Sequence, residues 1–118
     1  MAEITTAGYQ DIRDHIEATW TYIELRNGSD VAIVRLAVAD DRVSWTHAPS
    51  AQTLELTVVL TGADADLLPL PKTFAKSALY KVDTNGTALS VESFTQFTIE
   101  ASNDQLTIKH RIEVPRVV

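Results

Sequence analysis

Apolar and polar residues alternate with a period of two along most of this chain. In QTLELTVVLT the apolar face consists of Leu54, Leu56, Val58 and Leu60. In LTIKHRIEV it consists of Leu106, Ile108, His110, Ile112 and Val114, and the opposite face of Thr107, Lys109, Arg111 and Glu113. Such alternation is typical of a strand with one buried and one solvated side. Both segments are therefore predicted as antiparallel β-strands.

Shorter runs of the same kind are separated by turn signals. TYIELR is followed by NGSD and VAIVRLAV, and the pair Asn27-Gly28 predicts a hairpin because both residues tolerate positive φ. VSWTH follows ADDR, and LSVESFTQFTIEA follows DTNG with its alternation around Val91, Phe97 and Ile99. About seven short strands result.

The segment LLPLPKTFAKSALYKV is ambiguous. Pro69 and Pro71 favour an extended or edge conformation. The apolar residues after them also fit a short helical turn, formed by Phe74, Ala75, Ala78 and Leu79. Both interpretations stay open from the pattern alone.

Only the beginning of the chain has a helical period. In TTAGYQDIRDHIEATW, Thr5 or Thr6 provides an N-cap. One face is predicted to carry Tyr9, Ile12, Ile16 and Trp20, with Asp11, Asp14 and Glu17 away from it. The spacing predicts an amphipathic surface helix over about residues 6–20.

These elements predict a single domain, residues 1–118, with the helix at about 6–20 and a β-rich body at about 21–115. A chain of 118 residues has room for one ordinary core. The fold class is mainly β: an antiparallel β-sandwich or open barrel with one N-terminal amphipathic helix.

Composition narrows the chemistry. The chain has no cysteine, which excludes disulfide frameworks, thiolate metal sites and a cysteine nucleophile. The start, MAEITTAGYQD, does not resemble a signal peptide, and the longest apolar run, LTVVL, is too short for a membrane helix. We therefore expect a protein made and folded in the cytoplasm and not inserted in a membrane.

Charge is uneven along the chain, whose formal net charge is −6. Residues 1–66 carry 11 acids and 4 bases, whereas residues 67–118 carry 5 acids and 6 bases. An acidic surface repels phosphate, so no nucleic-acid partner is expected. The asymmetry allows an acidic face to meet a less acidic face of a neighbouring copy, or it only keeps loops solvated.

The stretch AVADDRVSWTHA combines carboxylates, an imidazole and an indole ring. It fits a catalytic corner, a cation site or a turn entering a strand. Asp41 and His47 are six residues apart, which is about 20 Å in an extended strand, so the spacing favours the turn. In GADAD, alternate carboxylates suit Ca²⁺ or a solvated loop. The Ca²⁺ candidates are Asp40, Asp41, Asp64 and Asp66.

No catalytic or cofactor-binding residue is predicted. His15, His47 and His110 fall on different elements without metal-ligand spacing, and no GxSxG or glycine-rich phosphate loop occurs. His110 lies mid-strand on an apolar face, so we expect it to be half-buried and hydrogen-bonded to a neighbour. An enzyme would instead need His110 to meet a distant carboxylate. The aromatic residues that suit either packing or a sugar platform are Trp20, Tyr22, Trp45 and Tyr80.

Three stretches together resemble small structural proteins of tailed phages and prophages of Gram-positive bacteria, of the kind found among tail and virion genes. They are YIELRNGSDVAIVRLAVADDRVSWTH, TLELTVVLTGADADLLPLPKTFAKSALY and LSVESFTQFTIEASNDQLTIKHRIEVP. The resemblance implies a repeated building block or a tail-associated adaptor without catalytic residues. It also implies assembly into a virion, associated with the tail or the capsid.

The resulting hypothesis is a non-enzymatic tail, neck, baseplate or capsid-surface component. It acts through protein–protein assembly, as a homo-oligomer or with other virion proteins, and has no cofactor. The predicted contact surfaces are the sheet edges and the N-terminal helix, including the long terminal strand that ends in Val117 and Val118. The alternative is a small β-sandwich module that binds carbohydrate or Ca²⁺.

Overall fold

The computed structural model describes residues 2–115 and contains one helix followed by seven strands. Helix α1 spans Thr6–Thr19. The strands are β1 (Tyr22–Arg26), β2 (Ala32–Ala37), β3 (Val43–Trp45), β4 (Thr53–Thr61), β5 (Lys72–Tyr80), β6 (Ser90–Ile99) and β7 (Gln105–Glu113). A 3₁₀ turn, Ala65–Leu67, lies between β4 and β5. No helix in residues 2–115 is long and apolar enough to cross a membrane.

The strands form two antiparallel sheets, which confirms the predicted mainly β class. The four-stranded sheet has the order β2-β1-β5-β6, and the three-stranded sheet has the order β3-β4-β7. Apolar side chains from both sheets form one core. Its largest fully buried apolar members are Ile23, Leu25, Leu54, Leu56, Val58, Leu60, Leu67, Phe74, Leu79 and Ile99. The arrangement is a β-sandwich with a helix at the N-terminus.

The alternation predicted for β4 and β7 is confirmed. All four predicted apolar residues of β4 are buried, with strict alternation along the strand. In β7, Ile108 and His110 are buried and the four residues predicted to face solvent are exposed. β4 and β7 pair without a register shift from Thr53↔Glu113 to Thr61↔Gln105. Val117 and Val118 lie outside the described residues.

Helix α1 begins as predicted, but one position of its buried face was assigned wrongly. Thr5 is the N-cap, and its hydroxyl accepts a hydrogen bond from the Gly8 N–H at 3.1 Å. Ile16 and Arg13 are buried, whereas Ile12 is 38% exposed. The Arg13 guanidinium donates a hydrogen bond to the carbonyl of Val114, just after β7. This contact turns Arg13 inward instead of Ile12.

The β1–β2 hairpin is confirmed, although its left-handed residue is Asp30, with φ of 62°, and neither Asn27 nor Gly28. The Asn27 side-chain oxygen accepts hydrogen bonds from the N–H groups of Ser29 and Val31, at 2.9 and 3.0 Å. Asn27 therefore organises a longer turn by side-chain capping, not by its own backbone conformation.

The ambiguous segment contains the central strand β5, and the helical-turn interpretation is wrong. β5 lies between β1 and β6, and both of its faces are largely buried. Ser77 and Leu79 are fully buried, as is Ala78 between them. A strand covered on both sides has no reason to alternate, and its apolar run therefore resembles part of a helix.

In β6 the predicted alternation fails, because a bulge changes which positions face inward. Phe97 pairs with Phe74 and Ser93 pairs with Lys76, so three residues of β6 stand opposite one residue of β5. Ile99 is fully buried as predicted, but Phe97 is 38% exposed and Val91 is 51% exposed. Beyond the bulge, Ser90 faces inward, and its hydroxyl is hydrogen-bonded to Nε2 of His110.

Candidate functional site

The stretch around Asp40 is a turn, as the spacing of Asp41 and His47 indicates. The N–H of Asp40 donates to the Ala37 carbonyl, and the Val43 N–H donates to the Asp40 carbonyl. The Asp40 carboxylate accepts hydrogen bonds from the N–H and the Nε of Arg42, both at 2.9 Å. The turn thus places Arg42 immediately before β3.

Three of the four Ca²⁺ candidates converge, but on an arginine. Arg42 contacts carboxylate oxygens of Asp40 at 2.8 Å, Asp66 at 2.8 Å and Asp64 at 3.3 Å. Hydrogen bonds from Arg42 lower the pKa of Asp40 to about 2. Asp41 is exposed and takes no part in these ion pairs. The guanidinium therefore supplies the positive charge that the Ca²⁺ hypothesis assigns to a metal ion.

His47 ties the helix to the three-stranded sheet. Its Nδ1 accepts a hydrogen bond from the Glu55 N–H at 3.1 Å, so the ring hydrogen lies on Nε2. Nε2 is 2.6 Å from the Glu17 carboxylate on α1. The ring also meets Trp45 edge-on, with centroids 5.6 Å apart. Both nitrogens are occupied by structural contacts, and Asp41 is not among them.

His110 is fully buried between the sheets, more deeply than predicted, and is hydrogen-bonded as predicted. Its Nδ1 is 2.6 Å from the Ser77 hydroxyl on β5, and its Nε2 is 2.8 Å from the Ser90 hydroxyl on β6. Burial lowers the pKa of His110 to about 4. A catalytic serine–histidine pair relies on a carboxylate to stabilise imidazolium, whereas a serine hydroxyl occupies that place here. The neutral ring serves to join the two sheets.

A charged cluster on the outer face of the four-stranded sheet was missed by the sequence reasoning. Glu24 lies opposite Arg35 in the β1–β2 register, and its carboxylate is 2.6 Å from Arg35 and 2.8 Å from Arg26. Burial raises the pKa of Glu24, but hydrogen bonds from both arginines outweigh it and hold that pKa below its usual value. The signal was present in opposite charges at facing positions of a predicted hairpin.

Arg35 also fastens the loop of residues 81–89 over this face. Its guanidinium lies 3.6 Å from the centroid of the Tyr80 ring. Its Nη1 donates to the carbonyls of Val82 and Asn85, at 3.0 and 2.9 Å. One side chain thus combines an ion pair, a cation–π contact and two loop hydrogen bonds.

The aromatic residues considered for a sugar platform are engaged in packing. Tyr80 is buried, and its hydroxyl accepts a hydrogen bond from Arg26. Trp20 and Trp45 pack against the core and are only partly exposed, and Tyr22 is half-buried. All four are buried or partly buried, so a carbohydrate site at these residues receives no support from their positions.

On one side of the sandwich, here called the open side, β6 and β7 are the edge strands of their sheets. In the ladders of residues 2–115, β6 pairs only with β5 and β7 pairs only with β4. Between them runs a groove of about 460 Å³, which we call the β6–β7 groove. It is lined by Phe94, Thr95, Gln96, Phe97, Leu106, Thr107, Ile108, Lys109 and Arg111.

The two edges differ in how they are protected. Segment 93–99 of β6, SFTQFTI, has no charged residue, proline or glycine. β7 instead carries Lys109, Arg111 and Glu113 on its exposed face. Charged side chains and proline are the usual means by which natural proteins prevent pairing at a sheet edge. β6 lacks both over seven residues, although its bulge interrupts the edge.

A second groove, of about 520 Å³, lies further along the same side. It is lined by Thr53, Ser90, Glu92, Arg111, Ile112 and Glu113. Burial raises the pKa of Glu92, although its carboxylate accepts a hydrogen bond from the Arg111 backbone N–H. Glu92 thereby caps part of the free edge of β7.

No protein family, curated protein or solved structure matches this chain. Within residues 2–115 there is no group of three or more histidine, cysteine, aspartate or glutamate side chains arranged to hold a metal ion.

Proposed function

We propose that this protein is a non-enzymatic structural component that works by protein–protein assembly. The observation that carries the proposal is the open side of the sandwich, where two long edge strands flank an apolar groove. Phe97 is the most exposed of its aromatic residues, at 38%. Exposed apolar surface bordered by polar residues marks protein–protein contact sites. The uncharged edge of β6 supports the same conclusion.

The remaining polar clusters support this proposal because each is engaged within the fold. The carboxylates near Arg42 bind its guanidinium, and the nitrogens of His47 and His110 all have partners. These groups stiffen turns and join elements. A rigid sandwich with an exposed contact side suits a repeated building block.

The biological context of the proposal is a phage or prophage particle, in a tail, neck, baseplate or capsid-surface position. Its support is the sequence resemblance to small virion-associated proteins. The partners are then further copies of this chain, other virion proteins, or both. Synthesis takes place in the bacterial cytoplasm before assembly.

The test is the protein composition of particles released by the bacterium that encodes the chain. Particles are purified by density-gradient centrifugation, and each fraction is quantified by mass spectrometry. We expect this chain to co-purify with the major capsid protein at a constant ratio across the particle peak. An abundant cytoplasmic protein is the control, and its ratio should vary. Absence of the chain from intact particles would refute the virion assignment.

A further inference from the structure

The chain has three asparagines, Asn27, Asn85 and Asn103, and each lies in a loop between two strands. Asparagine is chemically labile, because the backbone nitrogen of the next residue can attack its side-chain carbon Cγ and displace ammonia. The reaction needs an attacking nitrogen that is unhindered and free of hydrogen bonds, and a side chain that is free to turn towards it. Gly28 and Gly86 supply an unhindered nitrogen, because glycine has no side chain.

Asn27 is held away from this reaction by its own hydrogen bonds. Its Oδ1 accepts hydrogen bonds from the N–H groups of Ser29 and Val31, at 2.9 and 3.0 Å. Turning its Cγ towards the nitrogen of Gly28 breaks both of them, and each hydrogen bond is worth a factor of about five in an equilibrium. The turn that Asn27 organises therefore protects its side-chain amide.

Asn103 is protected through its neighbour. The next residue is Asp104, whose side chain crowds its own backbone nitrogen. That nitrogen also donates a hydrogen bond to the Ala101 carbonyl at 3.0 Å. The Asp104 carboxylate accepts hydrogen bonds from the N–H groups of Glu100 and Ala101, at 2.9 and 3.0 Å, which fixes the turn. Asn103 is exposed, but the nitrogen that would attack it is already engaged.

Asn85 has neither kind of protection. It is exposed in the loop of residues 81–89, and its side-chain amide has no hydrogen bond to any group of residues 2–115. The same is true of the backbone nitrogen of Gly86. Both residues have positive φ, 58° for Asn85 and 78° for Gly86, and they form the tip of the loop. Only the backbone carbonyl of Asn85 is fastened, by Arg35 at 2.9 Å.

We propose that Asn85 is a site of spontaneous deamidation in the folded protein. The Gly86 nitrogen forms a bond to Cγ of Asn85, the bond from Cγ to the amide nitrogen breaks, and ammonia leaves with the proton of the Gly86 N–H. Water then opens the cyclic imide at one of its two carbonyl carbons. Opening at Cγ gives aspartate, and opening at the backbone carbonyl gives isoaspartate. In isoaspartate the carbonyl that Arg35 holds has become a carboxylate.

Arg35 controls the rate of this reaction. Its Nη1 holds the carbonyls of Val82 and Asn85, at 3.0 and 2.9 Å, and so restrains the backbone that must rotate to bring the Gly86 nitrogen to Cγ. Either product adds a negative charge near the cluster of Glu24, Arg26 and Arg35. The modification needs no partner and is therefore independent of the proposed assembly function.

The test follows the full chain over time in mildly alkaline buffer. Digestion and mass spectrometry score each asparagine separately, with chromatographic separation of aspartate and isoaspartate peptides. We expect Asn85 to react about 25-fold faster than Asn27, because two hydrogen bonds must break at Asn27. In urea, where the chain is unfolded, the two Asn-Gly pairs should react at similar rates. This comparison separates the effect of the fold from that of the dipeptide.

Variants test the two parts of the proposal. Arg35→Lys should raise the rate at Asn85 about fivefold, because lysine lacks the fork that holds both carbonyls. An unchanged rate at Asn27 serves as evidence that this variant stays folded. Asn85→Gln should remove most of the charge change seen by ion-exchange chromatography, whereas the matched substitution Asn103→Gln should preserve it. Equal rates at Asn27 and Asn85 in the folded chain overturn the proposal, as does an Asn85 that stays unmodified there while it reacts in urea.

Discussion

We predict that lowering the pH from 7 to 4.5 decreases the free energy of unfolding, because the imidazole of His110 is buried in the folded chain. In the folded chain the pKa of His110 is about 4, whereas an unfolded histidine titrates near 6.5. Between these values the unfolded state binds a proton that the folded state does not. The free energy of unfolding therefore falls as the pH falls through this window.

The size of the loss follows from the two pKa values. At about 1.4 kcal/mol per pKa unit, the fall of the His110 pKa to about 4 corresponds to about 3 kcal/mol in all. About 2 kcal/mol of it should be lost by pH 4.5. Asp40 acts in a lower window, since its pKa of about 2 preserves its contribution until the pH falls below the ordinary value of 3.8. Glu92 opposes the trend, because its raised pKa favours the folded state as the pH falls.

The assay is urea unfolding followed by tryptophan fluorescence, at intervals between pH 7 and 4.5. His110→Gln removes the titrating group but keeps a side chain able to hydrogen-bond Ser77 and Ser90. We expect this variant to lose about 2 kcal/mol less than the parent chain across the interval. His15→Gln, the same substitution on the exposed side of α1, is the control and should keep the parental profile. Identical profiles for the parent and His110→Gln would refute the reasoning.

Three further predictions concern other parts of the fold. Arg42→Gln should destabilise the chain by about 2 kcal/mol, because it leaves the carboxylates around it without their cation. Added Ca²⁺ should raise the melting temperature of this variant but not that of the parent chain. Calorimetry with and without Ca²⁺ measures both effects. Arg35→Lys keeps the charge but loses the bidentate and stacking geometry, so hydrogen exchange in residues 81–89 should become faster. Phe74→Ala should cost about 4 kcal/mol of unfolding free energy in urea titrations, because it leaves a cavity at a fully buried position.

The local sequence pattern predicted those helices and strands whose two faces differ in burial. β4 alternates strictly because one face packs in the core and the other meets solvent. The sequence offered Thr5 or Thr6 as the N-cap, and Thr5 is the residue that caps α1. β5 was ambiguous because neighbours cover both of its faces. The bulge in β6 was not predictable, since the inward positions shift between Ser90 and Ile99 without a glycine or proline in segment 93–99 to mark the change.

The polar clusters were likewise predictable where they join residues near in sequence, and not where they join distant residues. The turn at Asp40 is local and was predicted, and so was its possible meeting with Asp64 and Asp66. The position of Arg42 between these carboxylates was not predicted, because the two acidic segments were considered only for their negative charge. The serine partners of His110 come from the opposite sheet, and no spacing within one strand encodes how two sheets face each other.

The hydrogen bond between Arg13 and Val114 joins residues 101 positions apart. During synthesis the helical segment leaves the ribosome well before the carbonyl that receives its guanidinium, because 101 positions separate the two residues. At about 5–20 residues per second, Arg13 waits about 5–20 s for that partner. Docking of the helix is therefore complete only after residue 114 is made, and nascent chains stalled before it should hold the helix more loosely and leave it more open to proteases.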